Sequence, residues 1–260
     1  MKISEITAAI ESFAPLSWQE SYDNSGLVVG RPDDDVHSAL LAVDVTERVL
    51  DEAERHGCDM VITHHPIIFH PLKRLNSADH VQRCVERAIR SGIALYACHT
   101  NLDAAPGGMS FRLASMLGVA DAAVLQPSGI EGGGFGAVGD LPAGIPFGEF
   151  MERIRTVTGA RILRHSGAVG ASVRRVAVCT GSGAFLIDEA RRAGADIYVT
   201  SDLKYNDFMT PDGALTIVDA GHFESEYCAI DILFDILSKK LLTFAVRRSE
   251  CSCNPVHYFV

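Results

Sequence analysis

Two stretches of the chain resemble each other, and their shared pattern restricts the fold. Residues 51–63 align without a gap on residues 188–200. Each stretch has the pattern of an amphipathic helix, a glycine that ends it, and a short apolar strand. Strands that alternate with helices indicate a largely parallel sheet. We therefore predict an α/β protein with two related lobes, whose mixed, largely parallel sheets face a central cleft. Chance similarity between two ordinary helix–strand units is the alternative.

A glycine-rich stretch at residues 129–136 separates the two halves of the pattern and predicts a boundary, although an ordinary surface loop is equally compatible with it. We assign residues 1–128 with 220–260 to the first lobe and residues 129–219 to the second. Apolar spacing predicts helices at 47–56, 78–90, 110–117, 147–157, 185–193 and 224–240, and strands at 39–45, 60–63, 93–98, 173–179, 197–200 and 215–219.

Composition restricts the class of protein. The 260 residues are 47% apolar, enough for a substantial core, and the formal net charge is −10. This charge argues against passive binding to nucleic acid or to an acidic membrane. The seven cysteines are an odd number scattered through apolar segments, which is typical of reduced thiols in a cytoplasmic protein. The first residues lack a signal-peptide layout, and no apolar run is long enough to span a bilayer.

The adjacent histidines His64 and His65 follow an apolar strand directly and precede Pro66. A buried histidine needs partners for both ring nitrogens, so such a pair rarely helps a fold. The carboxyl ends of strands in α/β proteins are, however, where ligands bind. We interpret the pair as a functional site, with two solvated loop histidines as the alternative.

Three further residues follow strands at the same predicted sheet edge: Asp103, His222 and Glu226. Glu226 lies one helical turn after His222, so both can project from one face. By spacing alone this pair is a weak signal, since a helix-start histidine with a solvated glutamate is commoner. Together with His64 and His65, the set suits zinc, manganese, iron, nickel or cobalt. Five ligands suit two divalent ions that share a carboxylate, either Asp103 or Glu226.

Four motifs and two terminal segments carry a resemblance to a known family. The motifs are THHPIIF at 63–69, HTNLD at 99–103, TSDLKY at 200–205 and DAGHFESE at 219–226. They resemble those of the Nif-three-like family, also called GTP cyclohydrolase I type 2 homologues. Residues 23–27 and 254–256 fit as well, so the resemblance runs through the whole chain.

The resemblance implies a dinuclear metal site on His64, His65, Asp103, His222 and Glu226, and a toroidal homohexamer of two-domain subunits. The chain lacks the extra domain inserted in longer relatives. It also has Asn206 where many relatives carry a histidine, and the sequence leaves the effect of this difference open.

Two adjacent divalent ions can activate water and polarise the oxygen of the group under attack, which predicts hydrolysis. We assign His99 as the proton-transfer residue, with a histidine that caps a strand end as the alternative. The family name suggests a nucleotide substrate, with attack at the purine C8 in a GTP cyclohydrolase. For its phosphates we predict a turn at residues 180–183, with Gly181, Ser182 and Gly183 ahead of a helix. Lys204 and Arg74 could assist, and a plain tight turn is the alternative.

Three classes of function remain open from the sequence: a metal-dependent nucleotide hydrolase, a non-catalytic metal-binding regulator, and a ring-shaped scaffold. The acidic composition counts against a scaffold for nucleic acid. Spacing cannot show an open coordination position, which would separate the first class from the second.

Overall fold

The structure is a computed structural model that describes residues 1–209 and 213–259. The chain forms two compact units. Unit 1 consists of Met1–Leu102 and Ala229–Cys253, and unit 2 consists of Asp103–Cys228 and Asn254–Val260. Within the described residues, no helix has the length and apolar character needed to cross a membrane.

The strands, in chain order, are β1 (Gly26–Val29), β2 (Ser38–Ala42), β3 (Met60–Thr63), β4 (Ala94–Ala97), β5 (Ala120–Pro127), β6 (Gly134–Pro146), β7 (Arg164–His165), β8 (Ser172–Ser182), β9 (Ile197–Ser201), β10 (Thr216–Asp219) and β11 (Ala245–Arg248). The α-helices are α1 (Ile3–Glu11), α2 (Glu47–His56), α3 (His80–Ser91), α4 (Thr100–Ala104), α5 (Met109–Met116), α6 (Phe147–Thr158), α7 (Ile187–Arg192), α8 (His222–Glu226) and α9 (Cys228–Lys240).

The sheet of unit 1 has the strand order β1-β4-β3-β2-β11. All neighbouring pairs are parallel except β1 with β4. The four residues of β3 are all buried, as expected for a central strand covered on both faces. One core of this unit packs Val49, Leu50 and Ala53 of α2 against Leu40 and Val61 of the sheet.

Both ends of α2 are set by local sequence signals. The Thr46 side chain accepts a hydrogen bond from the backbone N–H of Val49 and so caps the first turn. Gly57 ends the helix with a left-handed φ of 65°. The bounds of α2 and β3 match the predicted ranges 47–56 and 60–63.

The sheet of unit 2 has the strand order β5-β6-β8-β9-β10-β7. Strands β8, β9 and β10 are parallel, and the other pairs are antiparallel. Phe150 and Ile154 of α6 belong to a core that includes Val176, Val178 and Val199 of the sheet. This arrangement buries one face of the sheet beneath a helix.

The two sheets share a plan. In the sheet of unit 1, the parallel strands β2, β3 and β4 lie side by side, and β1 pairs with β4 in the antiparallel direction. In the sheet of unit 2, the parallel strands β8, β9 and β10 lie side by side, and β7 pairs with β10 in the antiparallel direction. The repeated stretches form α2–β3 and α7–β9 at equivalent places. The predicted fold class, a mixed α/β protein with two mixed sheets, is confirmed.

Some elements differ from the predictions. The glycine-rich stretch connects β5 and β6, an antiparallel pair that the sequence did not predict. The predicted turn at residues 180–183 is mostly the end of β8, which continues to Ser182. After it comes a three-residue 3₁₀ turn, Ala184–Leu186, and then α7. The predicted helix at 224–240 is divided into α8 and α9.

Candidate functional site

The histidine pair of unit 1 lies at the carboxyl end of β3, as predicted. His64 is fully buried, and its Nδ1 lies 2.8 Å from the carbonyl oxygen of Cys98. His65 Nδ1 lies 2.8 Å from Asp44 Oδ1. The Thr63 hydroxyl donates to the carbonyl oxygen of His65 at 2.8 Å and so holds the backbone after the strand.

These contacts select the tautomer of each ring. A carbonyl oxygen and a carboxylate only accept hydrogen bonds, so Nδ1 of His64 and of His65 carries the proton. Nε2 is then the nitrogen that each ring can offer to a metal. Histidine ligands in proteins are commonly oriented through their second nitrogen by a carboxylate or a backbone carbonyl. The rings are therefore arranged to present Nε2 as a ligand.

His99 joins this pair within unit 1. It follows β4, and its Nδ1 lies 2.7 Å from Asp23 Oδ1. Its ring centroid lies 5.2 Å from that of His64 and 5.4 Å from that of His65. One nitrogen from each of the three rings can be chosen so that all lie within 4.8 Å of one another. The three histidines are thus a candidate metal-binding group.

A second pair of candidate ligands lies in unit 2. His222 opens α8 and Glu226 lies one turn later, with 2.9 Å between Nε2 and Oε2. The prediction that they share a helix face is confirmed. His222 Nδ1 lies 2.7 Å from Asp202 Oδ2, so this ring is also oriented by a carboxylate. Glu226 is 4% exposed, which excludes the alternative of a solvated glutamate.

The charges around His222 change its affinity for protons. Burial alone would lower its pKa, but Glu226 and then Asp202 outweigh burial and raise the pKa to about 9. In the metal-free protein the His222 ring is therefore protonated at neutral pH and paired with Glu226. A divalent ion would have to replace this proton.

Gly181 makes room for the Glu226 carboxylate. A Cβ at this position would lie 2.1 Å from Glu226 Oε1, and the backbone φ is +63°, a left-handed value that favours glycine. The N–H of Gly181 donates to Ser225 Oγ at 2.9 Å. Position 181, one residue before the end of β8, thus has to be glycine for the carboxylate to approach.

Asp103 lies in α4 and is half-buried. Burial, followed by the negative charges of Asp103 and Glu226, raises the pKa of the Cys179 thiol in unit 2 to about 12. Both predicted carboxylate ligands thus act electrostatically on the same buried thiol.

The predicted phosphate-binding residues have structural partners of their own. A Cβ at Gly183 would lie 2.5 Å from the Tyr198 hydroxyl, which donates to the Gly183 carbonyl oxygen at 2.8 Å. Lys204 is exposed, and its backbone N–H donates to Asp207 Oδ2 at 2.6 Å. Both glycines are explained by close packing, so phosphate binding by Gly181, Ser182, Gly183 and Lys204 stays a prediction.

Sequence reasoning missed the groups that orient the histidines. Asp44 and Asp202 follow β2 and β9 closely, as His64 follows β3, so the strand-end signal could have found both. Asp23 lies in the loop before β1 and has no such signal. The carbonyl oxygen of Cys98 belongs to the backbone and has no signal in the sequence.

Comparisons with known proteins agree with this architecture. The profile of the Duf34/NIF3 (NGG1p interacting factor 3) family matches residues 1–255. A Clostridium perfringens protein named GTP cyclohydrolase 1 type 2 homolog is 32% identical over 230 residues, 87% of each chain. A Streptomyces coelicolor protein of the same name is 35% identical over 233 residues, covering 87% of this chain and 82% of the relative. The crystal structure of a Bacillus cereus protein related to NIF3 has a TM-score of 0.90 at 24% identity, covering 100% of this chain and 99% of that one, which shows the fold.

Proposed function

The chain belongs to the Duf34/NIF3 family, and from this premise we propose that it is a metal-dependent hydrolase acting on a nucleotide. The proposal assigns two divalent ions to His64, His65, Asp103, His222 and Glu226. Zinc, manganese, iron, nickel and cobalt all suit these nitrogen and oxygen ligands. The nucleotide is suggested by relatives named GTP cyclohydrolase 1 type 2 homolog.

One observation carries the proposal: each histidine among the assigned ligands has its Nδ1 held by an oxygen acceptor. The acceptors are the Cys98 carbonyl oxygen, Asp44 and Asp202, at 2.7–2.8 Å. Because each ring is held through Nδ1, Nε2 is the atom that each would offer to a cation, and at His222 the cation would replace the proton shared with Glu226. His37 has the same kind of contact, with Nδ1 3.2 Å from Asp59 Oδ2, but its side chain is exposed and stands alone. The assigned histidines are buried or half-buried and are each accompanied by a second candidate ligand, so the donor set fits a metal site.

The residues of the proposed site have separate roles in the reaction. Bound divalent ions supply Lewis acidity and lower the pKa of water, which makes hydrolysis possible at neutral pH. His99 accepts a proton from the attacking water, since its Nδ1 is engaged with Asp23 and its Nε2 is the remaining basic atom. Asp44 and Asp202 hold their histidines in place, and Gly181 leaves room for Glu226. Lys204 is assigned to the phosphates of the nucleotide.

The test is a nucleotide screen on the purified protein loaded with each candidate metal, with and without a chelator. We expect turnover that the chelator abolishes, with release of formate if the substrate is opened as in a GTP cyclohydrolase. His99→Gln should remove turnover, whereas His56→Gln, an exposed site at the end of α2, should not. Absence of turnover with two ions bound per chain would contradict the hydrolase and leave a non-catalytic metal-binding protein.

The proposal includes the homohexamer implied by the family. Six chains of 28.0 kDa give a mass of about 168 kDa. Light scattering behind size-exclusion chromatography should give this mass, and a monomer would contradict this part of the proposal.

A further inference from the structure

Asp23 lies in a loop of unit 1, and its side chain is fully buried. Its Oδ1 lies 2.7 Å from both the Asn24 N–H nitrogen and His99 Nδ1. Its Oδ2 lies 3.0 Å from both the Thr100 backbone nitrogen and Ser25 Oγ, and 2.5 Å from Thr100 Oγ1. Five polar hydrogens are therefore available to one carboxylate.

The direction of these hydrogen bonds is fixed by their surroundings. The Thr100 hydroxyl accepts from the backbone N–H of Glu20 at 2.9 Å, so its own proton is free to point at Asp23. The Ser25 hydroxyl likewise accepts from the backbone N–H of His99 at 3.2 Å and donates to Asp23. With two backbone N–H groups and two hydroxyls as donors, the carboxylate is an acceptor throughout.

The ionised state of Asp23 follows from the same contacts. Burial opposes ionisation, but the hydrogen bonds from His99 and Thr100 outweigh it and hold the pKa of Asp23 well below its usual range. An ionised carboxylate can only accept, so the His99 nitrogen beside it has to carry a proton.

We propose that Asp23 is a positioning residue that locks His99 in the Nδ1–H tautomer and so keeps the Nε2 lone pair as the proton acceptor of the reaction. The role in the reaction rests on the proposed function, whereas the tautomer does not. As the water oxygen bonds to the substrate, Nε2 takes one water proton, and it later returns that proton to the leaving group. Asp23 stays ionised and stabilises the imidazolium that forms in between.

The variant Asp23→Asn tests the positioning role of Asp23, because an amide side chain has one acceptor group and one donor group. Three donors face Oδ2, and two face Oδ1. The amide oxygen is therefore expected on the Oδ2 side, which places the NH₂ group against His99 Nδ1. That nitrogen must then accept, and the proton moves to Nε2, where it blocks proton transfer.

Three readouts on the full-length protein decide the matter. ¹⁵N NMR of histidine-labelled, zinc-loaded protein at about pH 8, assigned with His99→Gln, should show Nδ1–H in the wild type and Nε2–H in Asp23→Asn. Elemental analysis should show the wild-type zinc content in Asp23→Asn. Turnover of the nucleotide found in the screen should fall roughly 10²- to 10⁴-fold.

Asp59→Asn is the matched control. Asp59 pairs with His37 at 3.2 Å and lies immediately before β3, at the end opposite to His64. The Asp59→Asn variant removes an Asp–His pair of the same unit without touching His99. The His99 tautomer, the zinc content and the turnover should therefore stay at wild-type values.

The outcomes separate the two proposals. An Nε2–H tautomer of His99 in the wild type would overturn the positioning proposal without any variant, even if Asp23→Asn failed to fold. Loss of zinc from Asp23→Asn would overturn it too, because His99 would then be a ligand. If the wild type shows no turnover, the hydrolase proposal fails. The NMR comparison of the His99 tautomer in the wild type and in Asp23→Asn still tests whether Asp23 fixes that tautomer.

Discussion

Gly181→Ala should weaken metal binding by displacing Glu226. The new Cβ would lie 2.1 Å from Glu226 Oε1 and 3.1 Å from its Cδ. Since non-bonded heavy atoms pack at about 3.5 Å, the carboxylate has to move by about 1 Å or more. The backbone cannot retreat easily, because the Gly181 N–H donates to Ser225 and its carbonyl oxygen accepts from Thr200 at 3.2 Å.

The magnitude has two parts. The left-handed backbone with a φ of +63° makes alanine unfavourable by roughly 1–2 kcal/mol in stability. Displacement of a ligand should lower metal affinity roughly 10- to 100-fold, by analogy with the loss of an orienting group. A tenfold loss removes about 1.4 kcal/mol of the stabilisation that metal provides.

Gly194→Ala separates the two parts. Gly194 also has a left-handed backbone, with a φ of +70°, but a Cβ there meets nothing within 4 Å. Both variants should lose stability without metal, and only Gly181→Ala should lose metal affinity. The assay is competition with a chromogenic chelator, together with thermal unfolding with and without metal. Wild-type metal affinity in Gly181→Ala would refute the assignment of Glu226 as a ligand.

Two further predictions concern stability and pH. Glu52 is 1% exposed and accepts hydrogen bonds from Ser249 Oγ and two backbone N–H groups. Glu52→Gln should therefore lower the free energy of unfolding, measured by urea denaturation, by about 2–4 kcal/mol. An unchanged free energy of unfolding would contradict this prediction. His222 has a raised pKa of about 9, so its contribution to metal-free stability is full below its unfolded pKa of about 6.5 and is lost as pH rises through 9. Urea titrations from pH 6.5 to 9.5 should show this loss in the wild type and not in His222→Gln, and a similar loss in both would rule out His222 as its source.

The sequence predicted well those elements whose ends have local signals. The start and end of α2 follow from Thr46 as a cap and from Gly57, which has a left-handed backbone. The apolar residues 60–63 form the central strand β3 because both of its faces are covered. In these places local propensity and tertiary packing favour the same structure.

The glycine-rich part of unit 2 could not be predicted in the same way. Gly134 and Gly139 lie in β6, where a Cβ would lie 2.1 Å from the Gln126 carbonyl oxygen and 2.7 Å from a Val119 methyl group, respectively. These glycines allow close approach of neighbouring chain segments, but in a sequence they resemble a loop. Only the tertiary contacts distinguish the two cases.

The candidate site shows the same division. His64 and His65 could be recognised because they follow an apolar strand directly. Asp23 is linked to His99 across 76 positions of the chain, and no local pattern connects them. The positions of the candidate ligands thus follow from strand ends, whereas their orientation depends on pairings that the fold alone creates.

The central claim is that the five assigned residues bind two divalent ions, and elemental analysis of dialysed protein tests it most directly. After loading with zinc or manganese, the wild type should retain two ions per chain, and His65→Gln and Glu226→Gln should each retain fewer. His56→Gln, a surface histidine of unit 1, should retain both. Retention of two ions by His65→Gln and Glu226→Gln, or of none by the wild type, would contradict the account.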